Sequence, residues 1–428
     1  MTVKLLTLLL AFAFAAAAQT DLPLTGGQGR GAGQTAALKV TDNIYQATGF
    51  GNTFLITTPE GNVIVDTSSA PVAPNHLRLL KAVSAAPVKY IILTHGHGDH
   101  TGGVALWKEA GTHVVAQKNQ TEFLNYQARL NGFFLARNQA QFGGRGGGRG
   151  TAGASPPPWP GNYGAKQFAD ILFDDKYEFT LGGVKFELYS TPGETPDHLT
   201  VWIPQWKVAF TGDNYYESFP NMYTLRGTEP RWALEYIHSL DQVLAWKPEI
   251  VLPSHGQPVR TSADVTFRLT KSRNAIQYVH DEVVKGMNAG KDVYTLMRDI
   301  HLPDNLTVGE SYGKLTWSIR GIYEGYAGWF DLNPATMFEI APSAIYGDLV
   351  KLAGGPDAVI RLAQEKLAAG QNVEALRLTD AALAADATHR LALETRLNIL
   401  QDLKAHSRNS NEVGWLDYGI SEVRNKLK

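Results

Sequence analysis

The run Thr94-His95-Gly96-His97-Gly98-Asp99-His100 crowds three imidazoles and a carboxylate into one stretch of chain. Cationic histidines at that spacing would repel one another, whereas neutral rings beside a carboxylate can share divalent cations. The intervening glycines let the backbone turn so that alternate side chains converge. A lone histidine is more often a satisfied polar residue, but four ligand-type side chains in positions 95–100 point to metal. The chain contains no cysteine, which excludes thiolate nucleophiles, disulfides and sulfur-ligated metals. An imidazole and carboxylate donor set then suits zinc.

Such a loop needs a rigid element to present it. Lys89 to Leu93, directly before it, is a continuous apolar run, as expected of a buried strand that delivers its last residues to a sheet edge. Strand patterns precede it at Asn52–Ile56 and Asn62–Asp66, with a helix-like stretch from Ala73 to Ser84 between. Strands resume at Tyr177–Thr180, Val184–Tyr189, His198–Ile203 and Lys207–Thr211, with a hairpin turn at Leu181-Gly182-Gly183. A helix from Arg231 to Ala245 and a strand from Ile250 to Leu252 follow. This alternation predicts an α/β body. Beyond Ser262 the pattern is almost wholly helical, with breaks near Gly354-Gly355, Gly370 and Asp386, which predicts antiparallel helical hairpins acting as scaffold.

Three segments are expected: a leader over 1–18, a catalytic domain over 19–262 and an all-α domain over 263–428. In the leader, Lys4 precedes an apolar run from Leu5 to Ala18 that ends in small residues. That is the pattern of a secretory signal cleaved after Ala18, and it predicts a periplasmic or secreted protein. A membrane anchor is the other reading, but the run falls short of the roughly 20 residues a span requires. Nothing later reads as a transmembrane helix, so stable membrane insertion is not expected. A Gly/Pro-rich stretch over about 142–161 lacks the strand-to-helix context and lysine of a phosphate cradle. It reads as a flexible insertion, or alternatively as a lid over substrate, in which case Arg145 and Arg149 would matter. With 39 basic and 41 acidic residues the formal charge is -2, which gives no field for nucleic acid or an anionic membrane. A small-molecule substrate is the expectation.

The H-x-H-x-D-H loop closely resembles the signature of the metallo-β-lactamase superfamily. That resemblance implies an αββα sandwich followed here by a helical domain, with metals at one sheet edge. It also implies three further ligands, and candidates stand in the family's order: His198 in Thr191-Pro192-Gly193-Glu194-Thr195-Pro196-Asp197-His198, Asp213 in Phe210-Thr211-Gly212-Asp213, and His255 in Pro253-Ser254-His255-Gly256. By the same resemblance His95, His97 and His198 would hold one zinc, Asp99, His100 and His255 a second, and Asp213 would bridge them. Asp66, closing Ile-Val-Asp-Thr, matches a recurring position that would orient the histidine loop; the other reading is an ordinary strand-end aspartate. Two zinc ions about 3.5–4 Å apart lower the pKa of a bound water to about 7, so hydrolysis is implied, with Asp99 or Asp213 orienting or accepting the proton.

The rest of the chain resembles the alkylsulfatase branch. Asn221-Met222-Tyr223-Thr224-Leu225-Arg226-Gly227 looks like a segment that contributes there to sulfate recognition, implying Asn221 and Arg226 as substrate contacts. Ser311-Tyr312-Gly313 and Trp329-Phe330-Asp331-Leu332-Asn333-Pro334 are similar to that branch's dimerisation domain, which implies a homodimer through the helical part. The implied function is hydrolysis of an alkyl sulfate or related anionic ester. Three departures bear on it. The branch generally carries glutamates where this chain has His198 and Asp213, so a β-lactamase, lactonase or phosphodiesterase activity is the alternative. Pro220 stands where a histidine usually precedes the Asn. The sequence also runs to Lys428 without the sterol-carrier-like domain those enzymes commonly add, which weakens the expectation of a long-chain detergent substrate. A non-enzymatic dimeric binding protein is a further reading, against which the complete ligand set argues.

Overall fold

The computed structural model describes residues 34–143 and 168–428. The expected leader, Arg145, Arg149 and all of the Gly/Pro-rich stretch after Gly143 lie outside the described residues. Among the described residues thirteen strands form two sheets. In the first, β1 (Leu38–Lys39), β2 (Ile44–Ala47), β3 (Thr53–Thr58) and β4 (Gly61–Val65) are antiparallel neighbours. To these β5 (Val88–Ile92), β6 (His113–Gln117) and β7 (Ile171–Phe173) add in parallel. The second sheet runs in the order β13 (Val259–Arg260), β12 (Ile250–Pro253), β11 (Val208–Gly212), β10 (Leu199–Ile203), β9 (Val184–Ser190), β8 (Lys176–Leu181). Only the β11–β12 pair in it is parallel.

Alternation along the strands decides which face each residue covers. On β3, Phe54 and Ile56 enter the core between the sheets, where they meet Phe186 and Leu188 of β9 and Phe210 of β11. Leu55, between them, turns outward to a layer that holds Leu79 and Leu80 of helix Ala73–Lys81 together with Val104 and Trp107. The second sheet's outer face, with Trp202, Ala209 and Val251, is covered by Tyr236, Ile237 and Leu240 of helix Ala233–Ala245. The long helix Ser262–Asn288 shares that core through Leu269, Ile276 and Val283. The order helix, sheet, sheet, helix is the αββα sandwich. Gly182 and Gly183, both at positive φ (56° and 80°), make the two-residue turn that pairs Leu181 with Val184.

Two boundaries differ from the sequence reading. The first helix ends at Lys81, and Val83 and Ser84 only turn back onto Leu80. The helix expected from Arg231 begins at Ala233, because Trp232 is extended and Arg231 is drawn into an ion pair. Two helices, Gln120–Arg129 and Asn131–Phe142, carry no clear apolar period in the sequence because each buries few side chains. In the C-terminal region the helices Pro356–Ala368, Asn372–Ala385, Arg390–His406 and Ser410–Leu427 stack through Ile360, Ala382 and Ala392, then Leu393, Leu400 and Ile420. Their short connections make them antiparallel neighbours. Before them, Trp329 (75% exposed), Leu332 (83%) and Ile340 (66%) stand open to solvent. Among the described residues no helix is long and apolar enough to cross a membrane.

Candidate metal centre

Strand β4 ends at Val65, and Asp66 follows in a left-handed conformation (φ 55°). That turn aims its carboxylate across the C-terminal end of β5. Oδ1 accepts from the Thr94 backbone N–H at 2.8 Å, and Oδ2 accepts from Thr94 Oγ1 (2.8 Å), Ser254 Oγ (2.7 Å) and His100 Nδ1 (2.8 Å). Because the Thr94 hydroxyl donates to Asp66, it is free to accept from His95 Nδ1 at 3.1 Å. Both rings therefore donate through Nδ1 and turn Nε2 inward.

The inward atoms converge. His100 Nε2 lies 3.5 Å from Asp213 Oδ2 and 3.6 Å from Asp99 Oδ2. His255 Nε2 lies 3.1 Å from Asp213 Oδ2 and 3.4 Å from Asp99 Oδ2, and His95 Nε2 is 3.9 Å from Asp213 Oδ2. Ligand atoms of His95, His100 and Asp213, and of Asp99, His100 and His255, fall within 4.8 Å of one another in each set. His97 joins through Nδ1, 2.8 Å from His95 Nε2. His198 is in the same cluster, its ring centroid 5.3 Å from that of His95. Its Nε2, however, accepts the Asp213 N–H at 3.1 Å, while Nδ1 faces Thr191 Oγ1 at 3.2 Å. Gly212 makes this approach possible, since a Cβ there would sit 2.3 Å from His198 Nε2.

These residues suit a divalent cation on two counts. His100 Nε2 and Asp213 Oδ1 are buried without a hydrogen-bond partner, a costly state that coordination relieves. Charge tells the same story. Burial disfavours the charged form of His100 and His255, yet the carboxylates of Asp213 and Asp99 outweigh it, holding His100 well above the usual imidazole range and His255 up at about 10. The cluster thus attracts positive charge. Burial conversely keeps His95 well below the usual range and His198 down at about 4, so both are neutral, as ligands must be. Asp99 and His255 are half-buried, which leaves that side of the cluster open.

Beside the cluster lies a second polar layer that sequence reasoning only partly anticipated. Glu194 Oε1 stands 3.8 Å from His97 Nδ1 and is ion-paired with Arg231 Nη1, while Oε2 accepts from Tyr236 OH at 2.7 Å. Arg231 Nη1 also donates to Asn221 O (2.8 Å), and the Asn221 N–H donates to Tyr216 OH (2.7 Å). The side-chain amide of Asn221 and Arg226 Nε have no partner. Arg226 is near enough that, after burial, its charge is the next cause holding His97 well below the usual imidazole range. Tyr312, from the helical region, packs 6.0 Å from Tyr216, which in turn lies 6.4 Å from His255. Phe50 (5.6 Å from His255) and Phe123 (5.3 Å from His97) close the apolar sides. Glu194 lay within the segment read only for His198, Arg231 stood as a lone basic residue, and Tyr216 and Tyr312 had no local pattern to mark a role.

Comparison with known proteins matches residues 47–255 to the metallo-beta-lactamase superfamily and residues 295–426 to an alkyl sulfatase dimerisation family. A linear primary-alkylsulfatase of Pseudomonas sp. (strain ATCC 19151) is 30% identical over 394 residues, covering 87% of this chain and 74% of its own. The alkyl/aryl-sulfatase BDS1 of Saccharomyces cerevisiae is 27% identical over 422 residues, covering 90% of this chain, which spans 63% of that protein. The solved sec-alkylsulfatase Pisa1 of Pseudomonas sp. superposes with a TM-score of 0.81 at 22% identity, covering 92% of this chain and 66% of that one, and shows the shared fold. Given this likeness over most of its length, together with a histidine and aspartate cluster built for cations, the chain belongs to the alkylsulfatase family of metal-dependent hydrolases within the metallo-β-lactamase superfamily.

Proposed function

We propose that the protein hydrolyses alkyl sulfates or closely related anionic esters with two zinc ions. In this reading His95, His97 and His198 would hold one ion, His198 giving up the Asp213 N–H to do so, Asp99, His100 and His255 would hold the other, and Asp213 would serve both. The observation that carries it is the position of unpartnered, buried anion-binding groups on Asn221 and Arg226 beside the cation-seeking cluster. Alkylsulfatase relatives support the same substrate class.

When bound, zinc supplies a water of lowered pKa and positive charge for the reacting oxygens. Around it the chain's own groups bind, aim and move protons. The Asn221 amide and the planar Arg226 guanidinium match the oxygens of a tetrahedral anion. Asp99, on the open side, orients the attacking water and takes its proton at a carboxylate oxygen. Pro220 occupies the place of a usual histidine, so the proton gained by Asp99 is the one available to a departing oxygen. Asp66 holds the His100 and Thr94 geometry, and Phe50 and Phe123 exclude bulk water.

His198 and Asp213, standing where the branch generally has glutamates, favour a second reading with a β-lactam, lactone or phosphodiester as substrate. A chromogenic panel of alkyl sulfate, cephalosporin, lactone and phosphodiester separates the two. We expect turnover of the alkyl sulfate, and preference for any of the others would overturn the proposal. We further propose that the protein is exported by its leader, that it divides near residue 262 into catalytic and helical units, and that it pairs with a second copy through the helical unit.

A further inference from the structure

Thr224 to Gly227 form a tight turn, closed by the Gly227 N–H donating to Thr224 O at 2.9 Å. In such a turn the carbonyls of the two central residues, here Leu225 and Arg226, have no partner within it. Both are taken by one side chain from another element. Arg137, on helix Asn131–Phe142, donates through Nε to Arg226 O (2.7 Å) and through Nη2 to Leu225 O (2.5 Å). A planar fork satisfying two adjacent carbonyls fixes both the position and the orientation of the turn.

Arg137 is itself held. Its guanidinium carbon lies 5.0 Å from the Phe133 ring centre and 5.5 Å from that of Trp415, on the last helix, Ser410–Leu427. One turn further along, Gln141 locks the two helices together: its Nε2 donates to Asn411 Oδ1 (2.9 Å) and its Oε1 accepts from Trp415 Nε1 (3.0 Å). Gly414 permits that contact, since a Cβ there would lie 1.9 Å from Gln141 O. The same helix start also holds the loop of Tyr312, with Asn409 Nδ2 donating to Tyr312 O at 3.0 Å and Asn411 Nδ2 donating to it at 3.0 Å. Surface packing alone does not require a buried glutamine bridge and an arginine fork aimed at the one turn that bears Arg226.

We propose that Arg137 is a positioning residue for anion binding, fixing the backbone of the Arg226 turn and being fixed in its turn by the last helix through Trp415 and Gln141; the claim rests on the reading of Arg226 as an anion contact. Without the fork the turn is free to reorient, and the freedom lost on gripping the anion becomes part of the binding cost. Binding therefore weakens more than turnover.

The test uses the full-length, metal-loaded protein with Arg137→Met, which keeps the apolar stem between the rings, Arg137→Lys, which can satisfy one carbonyl, and Trp415→Leu. KM and kcat for an alkyl sulfate, the Kd of inorganic sulfate by calorimetry, metal content and Tm are read for each. Arg137→Met is expected to raise KM and the sulfate Kd about tenfold with kcat within about threefold and metal content unchanged. Arg137→Lys should fall between it and the parent, and Trp415→Leu should shift the same quantities in the same direction. Unchanged KM and sulfate Kd with a lowered Tm would reduce Arg137 to ordinary packing and overturn the proposal, as would a fall in kcat at constant KM. Should Arg137→Met fail to fold, the sulfate Kd of Arg137→Lys decides on the same criterion. Arg226→Ala serves as the control: if it leaves the sulfate Kd unchanged, the anion reading itself fails, whereas if it weakens binding and Arg137→Met does not, only the present inference fails.

Discussion

Asp66 contacts no cation in any reading of the site, yet Thr94, His100 and Ser254 all direct hydrogen bonds to its carboxylate. Such a partner sets the tautomer and aim of a ligand ring. Asp66→Asn is the informative change, because asparagine tolerates the left-handed backbone that position 66 adopts. We expect metal affinity to fall about 10–100-fold, measured by chelator competition, with the fold intact by circular dichroism. At Arg226 the expected change is in substrate rather than metal. Arg226→Ala should lower kcat/KM for an alkyl sulfate at least about tenfold, or about 1.4 kcal/mol, with metal content by mass spectrometry unchanged.

Helix Ala73–Lys81 turns one titratable side chain, His76, inward toward β3. His76, fully enclosed on the helix's inner face, sets Nδ1 3.0 Å from Thr53 Oγ1 and leaves Nε2 without a partner. Burial pushes this imidazole down to about 4 from its ordinary 6.5. As pH falls below 6.5 the unfolded chain takes up a proton that the folded chain refuses until about pH 4. The contribution of His76 is therefore full above pH 6.5 and declines toward pH 4, by on the order of 3 kcal/mol in all. Denaturant midpoints at pH 7.5, 6 and 5 should show this loss in the parent, and His76→Gln should lack that share of it. The difference between the two proteins isolates His76 from the other titrating histidines.

At the scale of the molecule, the segment that joins the sandwich to the helical stack carries apolar side chains that the described residues leave uncovered. Trp329, Leu332, Phe338 and Ile340 are all exposed, and an open apolar surface of this kind marks an interaction site. It lies within the part matched to the alkyl sulfatase dimerisation family. We expect the parent to sediment as a dimer, and a Trp329→Asp, Leu332→Asp double variant to sediment as a monomer at micromolar concentration with its metal content intact. A dimeric double variant would show that the pairing surface lies elsewhere. The helical part also places Tyr312 against Tyr216, near the histidine cluster, and Trp415 against Arg137.

How legible the protein was follows from the distance over which its determinants act. The strand before the histidine loop, the Gly182-Gly183 hairpin and the crowding of imidazoles over positions 95–100 are local patterns, so the sequence alone determined an α/β body and a candidate cation site, and the resemblance of the H-x-H-x-D-H loop to a known superfamily added the sandwich. Spacing within a few residues dictates which side chains share a face or a turn. The helices Gln120–Arg129 and Asn131–Phe142 were missed because they bury too little for a clear period, and Glu194, Arg231, Tyr216 and Tyr312 because each is an ordinary residue where it stands. Only the tertiary structure decided that Glu194 sits between His97 and Arg231, that His198 meets the Asp213 N–H, and that Arg137 reaches the turn bearing Arg226. Those contacts join residues far apart in the chain, and their geometry is set by how two sheets and a helical stack close over one another, which no local spacing encodes.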